Sequence, residues 1–241
     1  MDEQRRKFLL GAGLAGTAVA TGLAPSAAID AQAQTASAAP ASPAPKAAAE
    51  PETYLTLTAN EAVFLSAVAD TFIPADELSP SGTECGVVTF IDRQLAGAWG
   101  AGAKMYRNGP FRNAKPEYGY QLPLTPREFF AAGIVAVNAW TRKAKGKEFD
   151  LLSPKEREDA LKALEQGKAE LVDFDGKPFF EALLTINMEG FFADPIYGGN
   201  RNKASWKMIG FPGLPATYRN AIEQYRNKPF KPVPQSIADF S

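Results

Sequence analysis

Three copies of one short pattern constrain this chain more than anything else in it: Thr58-Ala59-Asn60-Glu61, Thr125-Pro126-Arg127-Glu128 and Ser153-Pro154-Lys155-Glu156. A hydroxyl followed three residues later by Glu is a capping box, in which the hydroxyl accepts one orphan N–H of a helix start and the carboxylate accepts another. Pro126 and Pro154 stand at the first helical position, where a missing N–H costs nothing. Apolar residues follow each box at helical spacing: Phe64, Leu65, Val68 and Phe72, then Phe130, Ile134, Val137 and Trp140, then Ala160, Leu161 and Leu164. These patterns predict three helices, the first ended by Pro74 and the third stopping near Gly167. Val87, Val88, Ile91 and Leu95 predict a fourth, with Asp92, Arg93 and Gln94 on its solvated side. Pro178 opens a fifth, carrying Phe179, Phe180, Leu183, Leu184 and Ile186, with Gly190 expected as a left-handed cap. A shorter helix is expected over about residues 216–225. No strand-like alternation, hairpin signal or internal repeat competes. The fold class is therefore all-α, one irregular helical domain of about five to seven helices with long ordered loops.

The ends read differently. Arg5, Arg6 and Lys7 precede Phe8 and Leu9, then a short apolar run diluted by glycine, with Ala31-Gln32-Ala33 as a cleavage signal. This is the pattern of a secretory signal, and the pair Arg5-Arg6 before Phe8-Leu9 looks like a twin-arginine signal. Gln4 stands where Ser or Thr is usual. The run is shorter than the roughly 20 residues needed to span a bilayer. Residues 11–16 satisfy G-x-G-x-x-G, but a dinucleotide fingerprint has meaning only between a strand and a helix. In residues 24–50, 13 are Ala and four are Pro, a composition expected to stay disordered. The expected division is signal 1–33, linker 34–53, helical domain 54–226 and extended proline-rich tail 227–241.

Composition narrows the chemistry. The chain has no histidine and one cysteine. That removes the commonest general base, His-paired nucleophiles, His-ligated zinc or haem, and any iron–sulfur cluster or internal disulfide. A net charge of −1 offers no basic excess for a nucleic acid. Carboxylates remain, with Asp70, Asp76-Glu77, Glu189 and Asp194 as candidates. A carboxylate pair performs glycoside hydrolysis without histidine, so a stand-alone periplasmic enzyme such as a glycosidase is the alternative reading. Caps, turns and solvated faces account for the same residues more simply. Tyr197-Gly198-Gly199-Asn200 lacks the Lys and Ser/Thr of a phosphate loop and reads as a tight turn with Gly198 and Gly199 at positive φ. Cys85 is either an intermolecular thiol or, the preferred reading, an inert buried one.

Residues 97–123 and 191–215 are long connections rich in glycine and aromatics. The second holds five aromatics among four glycines and three prolines, too aromatic for a disordered segment. Ordered aromatic loops suit a protein interface. The interface candidates are Phe192, Asp194, Tyr197, Gly198, Gly199, Asn200, Trp206 and Phe211, with Tyr197 and Trp206 as leading anchors. The competing reading is that Trp206 fills this chain's own core.

IPADELSP at 73–80, GVVTFIDRQLAGAWG at 86–100, GYQLPLT at 119–125, GFFADPIYGGN at 190–200 and SWKMIGFPG at 205–213 carry a resemblance. Together they resemble the small (third) subunit of gluconate 2-dehydrogenase. The resemblance implies a non-catalytic subunit of a heterotrimeric dehydrogenase on the outer face of the inner membrane, in the periplasm. Its partners would be an FAD-containing large subunit, a multihaem cytochrome c subunit that passes electrons to quinone, and the twin-arginine translocase. It implies no catalytic, cofactor or metal site in this chain, with FAD and haem c in the partners. The signal residues Arg5, Arg6, Phe8 and Leu9 would export the folded flavoprotein, whose default substrate is D-gluconate, oxidised to 2-dehydro-D-gluconate.

Overall fold

The computed structural model describes residues 53–112, 115, 118–214, 217 and 219–240. The signal and almost all of the linker therefore lie outside the described residues. Each of the three capping boxes is closed. Helix α1 (Ala59–Phe72) starts where Glu61 N–H donates to Thr58 Oγ1 at 3.4 Å and Thr58 N–H donates to Glu61 Oε2 at 2.8 Å. Helix α3 (Pro126–Lys145) and helix α4 (Pro154–Glu165) repeat the exchange through Thr125/Glu128 and Ser153/Glu156. Helix α2 spans Val87–Ala96 and helix α5 Gly176–Phe192. Two short helices follow, α6 (Ala204–Ile209) and α7 (Arg219–Gln224). Among the described residues there is no strand, only one isolated parallel bridge between Gly213 and Gln235.

Helix α5 is the central element and packs against α1, α2, α3, α4 and α6. Its Phe179, Phe180 and Leu183 meet Phe64 and Leu65 of α1, Ile91 and Leu95 of α2, Phe129 of α3 and Leu161 and Leu164 of α4 in one core of fully buried side chains. Phe149, on the 3₁₀ turn Phe149–Leu151, closes it with its ring 5.0 Å from Phe64. Each such side chain contributes about 1.5–3 kcal/mol of burial, so the aromatic content of α5 places it inside.

Three expectations need correction. Helix α5 begins at Gly176, capped by Asp175, which accepts from Lys177 N–H at 3.0 Å. It then runs through Gly190 to Phe192 rather than stopping at a left-handed glycine. Gly190 is required there by close approach: a Cβ on it would lie 2.9 Å from the Phe90 ring, and one on Gly199 would lie 2.1 Å from the Gly190 carbonyl oxygen. Asp92 is not on a solvated face. It is 2 % exposed, and its carboxylate accepts the backbone N–H groups of Leu55, Thr56 and Leu57 at 2.6, 2.9 and 3.0 Å. Three N–H donors satisfy a buried carboxylate that would otherwise be costly, and they bind the segment preceding α1 to α2. The last helix is α7, Arg219–Gln224, shorter than expected; residues 215, 216 and 218 are outside the described residues.

Candidate functional site

Two regions stand out, and the first is the aromatic loop. Asp194 caps the 3₁₀ turn Pro195–Tyr197, accepting from Ile196 N–H at 3.0 Å. Gly198 follows at φ 102°, a left-handed value that favours glycine, whereas Gly199 is not at positive φ. The second left-handed residue is Asn200, at φ 46°. Its fully buried side-chain amide donates to Ala193 O at 2.9 Å and accepts from Ser205 N–H at 3.0 Å. These bonds satisfy the loop's own backbone. The turn is fastened to α2: Arg93 Nη1 donates to Ile196 O at 3.2 Å, Arg201 N–H to Cys85 O at 3.0 Å and Arg201 Nη2 to Thr89 Oγ1 at 3.1 Å.

Trp206 belongs to this chain's own packing. It is 5 % exposed, its Nε1–H donates to Phe192 O at 2.9 Å, and its ring meets Phe211 edge-on at 5.2 Å. A side chain already covered in the single chain is not a free anchor, so the competing reading of Trp206 is the observed one. Tyr197 is half-exposed and Phe211 is 41 % exposed, which leaves them with Ile196 as the loop's outward apolar face. The tail then covers part of the loop. Gln235 N–H donates to Pro212 O at 3.0 Å, Leu214 N–H to Gln235 O at 2.8 Å, and Lys203 Nζ to Pro234 O at 3.1 Å while pairing with Asp239.

The second region is a groove of about 970 Å³ between the segment 119–122, α3 and α5. Trp99, Tyr120, Phe130, Phe174 and Ile186 line it, and Asp173, Asp175, Glu181 and Glu189 face it against one cation, Lys177. Tyr120 stacks on Phe129 with ring centroids 4.0 Å apart and donates to Leu124 O at 3.1 Å. Burial first, then Glu128, pushes the Tyr120 hydroxyl up to about 12. Partial burial likewise raises the Glu189 carboxyl above its usual range. The groove is apolar with an acidic rim, so it favours a cationic, apolar occupant and disfavours an anion such as a sugar acid. It was hidden from sequence reasoning because Trp99, Tyr120 and Phe174 come from three distant segments.

The family model for gluconate 2-dehydrogenase subunit 3 matches residues 59–213. The chain belongs to that family. Searches of curated proteins and of solved structures found no match. The region matched to gluconate 2-dehydrogenase subunit 3 starts with α1 and ends at Gly213, the residue paired with Gln235 of the tail.

Within this subunit 3 domain Asp70, Asp76 and Cys85 have structural partners. Asp70 accepts from Thr83 N–H at 2.8 Å, and Asp76 from Leu78 and Ser79 N–H at 2.8 and 3.0 Å. Cys85 is buried, with Sγ 3.6 Å from Pro80 O. Burial, then Glu84, pushes its thiol up to about 11, the opposite of an activated nucleophile. Among the described residues no group of three or more Cys, Asp or Glu side chains is placed to hold a metal ion. None of their helices is long and apolar enough to cross a membrane. The export residues Arg5, Arg6, Phe8 and Leu9 lie outside the described residues.

Proposed function

We propose that this chain is the non-catalytic small subunit of a periplasmic membrane-bound dehydrogenase, with D-gluconate as the default substrate. The observation that carries the reading is the family match over residues 59–213 in a chain with no histidine. Oxidising a CH–OH group needs a base for the hydroxyl proton and an acceptor for the hydride. This chain offers no imidazole, and Asp70, Asp76, Asp92 and Asp194 accept backbone N–H groups. A haem c attachment needs C-x-x-C-H, which one cysteine without histidine cannot provide. In this reading FAD belongs to the large subunit and haem c to a cytochrome subunit. The small subunit supports the flavoprotein's assembly and stability, and its Arg5-Arg6 signal exports the folded pair through the twin-arginine translocase to the outer face of the inner membrane.

The test is the double substitution Arg5→Lys and Arg6→Lys in the native operon. The flavoprotein should remain in the cytoplasm, folded and FAD-loaded, and periplasmic dehydrogenase activity should be lost. Normal periplasmic activity in that strain would overturn the export role.

A further inference from the structure

The groove between α3 and α5 has an apolar floor and four carboxylates against one ammonium. Its aromatic ring Trp99 is 46 % exposed and Leu122 at its edge 39 %, so part of an apolar surface stands open. The chain carries one segment that matches it in charge and in order: residues 5–10, Arg-Arg-Lys-Phe-Leu-Leu, three cations followed by three large apolar side chains. We propose that the groove holds this segment before export, with Arg5, Arg6 and Lys7 at the acidic rim and Phe8, Leu9 and Leu10 over the aromatic floor.

Reach is not limiting. Residues 11–52 have a contour of up to roughly 140–150 Å, against a domain radius of gyration of roughly 16 Å. A tether also makes docking intramolecular, at an effective concentration that lets a weak site fill. The occupant has the chemistry the rim selects, whereas a sugar acid would bring a fifth negative charge into it. A docked segment covers the signal while it is in place, so this inference rests on the proposed export role and deepens it.

The experiment uses the full precursor, residues 1–241, purified from export-deficient cells, with p-benzoyl-phenylalanine at position 122. Illumination should cross-link position 122 to residues 5–12 within one chain. Arg5→Glu with Arg6→Glu, or about 0.5 M salt, should lower the yield at least about tenfold. Those substitutions change none of the groove-lining residues. Cross-links to a second copy or to a co-purifying subunit, with none to residues 5–12, would overturn the proposal. So would a yield unchanged by charge reversal, or no cross-link at all. The readings separate: a failed cross-link with export still dependent on Arg5-Arg6 removes only the docking, and a cross-link without any flavoprotein partner removes only the subunit role.

Discussion

Asp194 Oδ2 accepts the backbone N–H of Ile237 at 2.9 Å, across 43 positions of sequence, while its Oδ1 caps the turn at Ile196. One carboxylate thus holds both the aromatic loop and the tail. Asp194→Ala removes both bonds. Since bonds to a charged acceptor contribute about 1.5–3 kcal/mol and this one is part-exposed, stability should fall by about 1–2 kcal/mol in urea unfolding. Amide exchange at residues 235–240 should accelerate more than in α5. In the proposed dehydrogenase complex, Asp194→Asn should leave turnover per bound FAD intact.

Asp92 makes a sharper case because it is buried. Asp92→Ala strands the N–H groups of Leu55, Thr56 and Leu57 and should cost about 1–3 kcal/mol. Protease should then cut before α1 at concentrations that spare the parent protein. Unchanged denaturation and cleavage would show that these three bonds contribute nothing.

Trp206→Ala should destabilise the subunit itself, by about 3–5 kcal/mol for a buried tryptophan. The mutant should lose cooperative unfolding or accumulate poorly even when expressed without a partner. A mutant with parental stability that fails only to co-purify would restore Trp206 to the interface. Tyr197→Ala, at an exposed ring, should leave the free subunit's stability nearly unchanged.

Cys85 should resist thiol reagents in the folded state. The thiolate is the reactive form, and burial pushes its pKa up to about 11. Labelling by a chromogenic disulfide at neutral pH should be slow and should speed up on denaturation. Rapid stoichiometric labelling of native protein would contradict the buried placement.

Acid should weaken the helix starts. The Thr125 backbone N–H holds the Glu128 carboxyl below its ordinary value of 4.5, and the Ser153 hydroxyl does the same first for Glu156. A carboxyl depressed on folding adds stability that is present above the unfolded value and lost as pH falls through the folded one. Thermal stability should therefore decline below about pH 4.5. The decline should be shallower in Glu128→Gln with Glu156→Gln, which lack those titrating groups. Glu189, raised by partial burial, acts in the opposite sense and above that window. Its charged form costs stability at neutral pH, the cost is relieved as pH falls toward about 4.5, and Glu189→Gln should remove that relief.

What the sequence by itself determined was local. Capping boxes and 3.6-residue apolar spacing act within one or two turns, so α1, α3 and α4 begin where Thr58, Thr125 and Ser153 predict. The lack of histidine was legible too, since it is a property of the list of residues. Tertiary structure decided whatever depends on a neighbour remote in sequence. Gly190 has the look of a helix stop until Phe90 and Gly199 press against it. Asp92 has the look of a surface charge until residues 55–57 turn their N–H groups toward it. Trp206 has the look of an interface ring until Phe192 accepts its N–H and Phe211 covers it. The groove exists only because 119–122, α3 and α5 meet there. Burial and close approach are relations between distant segments, and no pattern confined to a few successive residues encodes them.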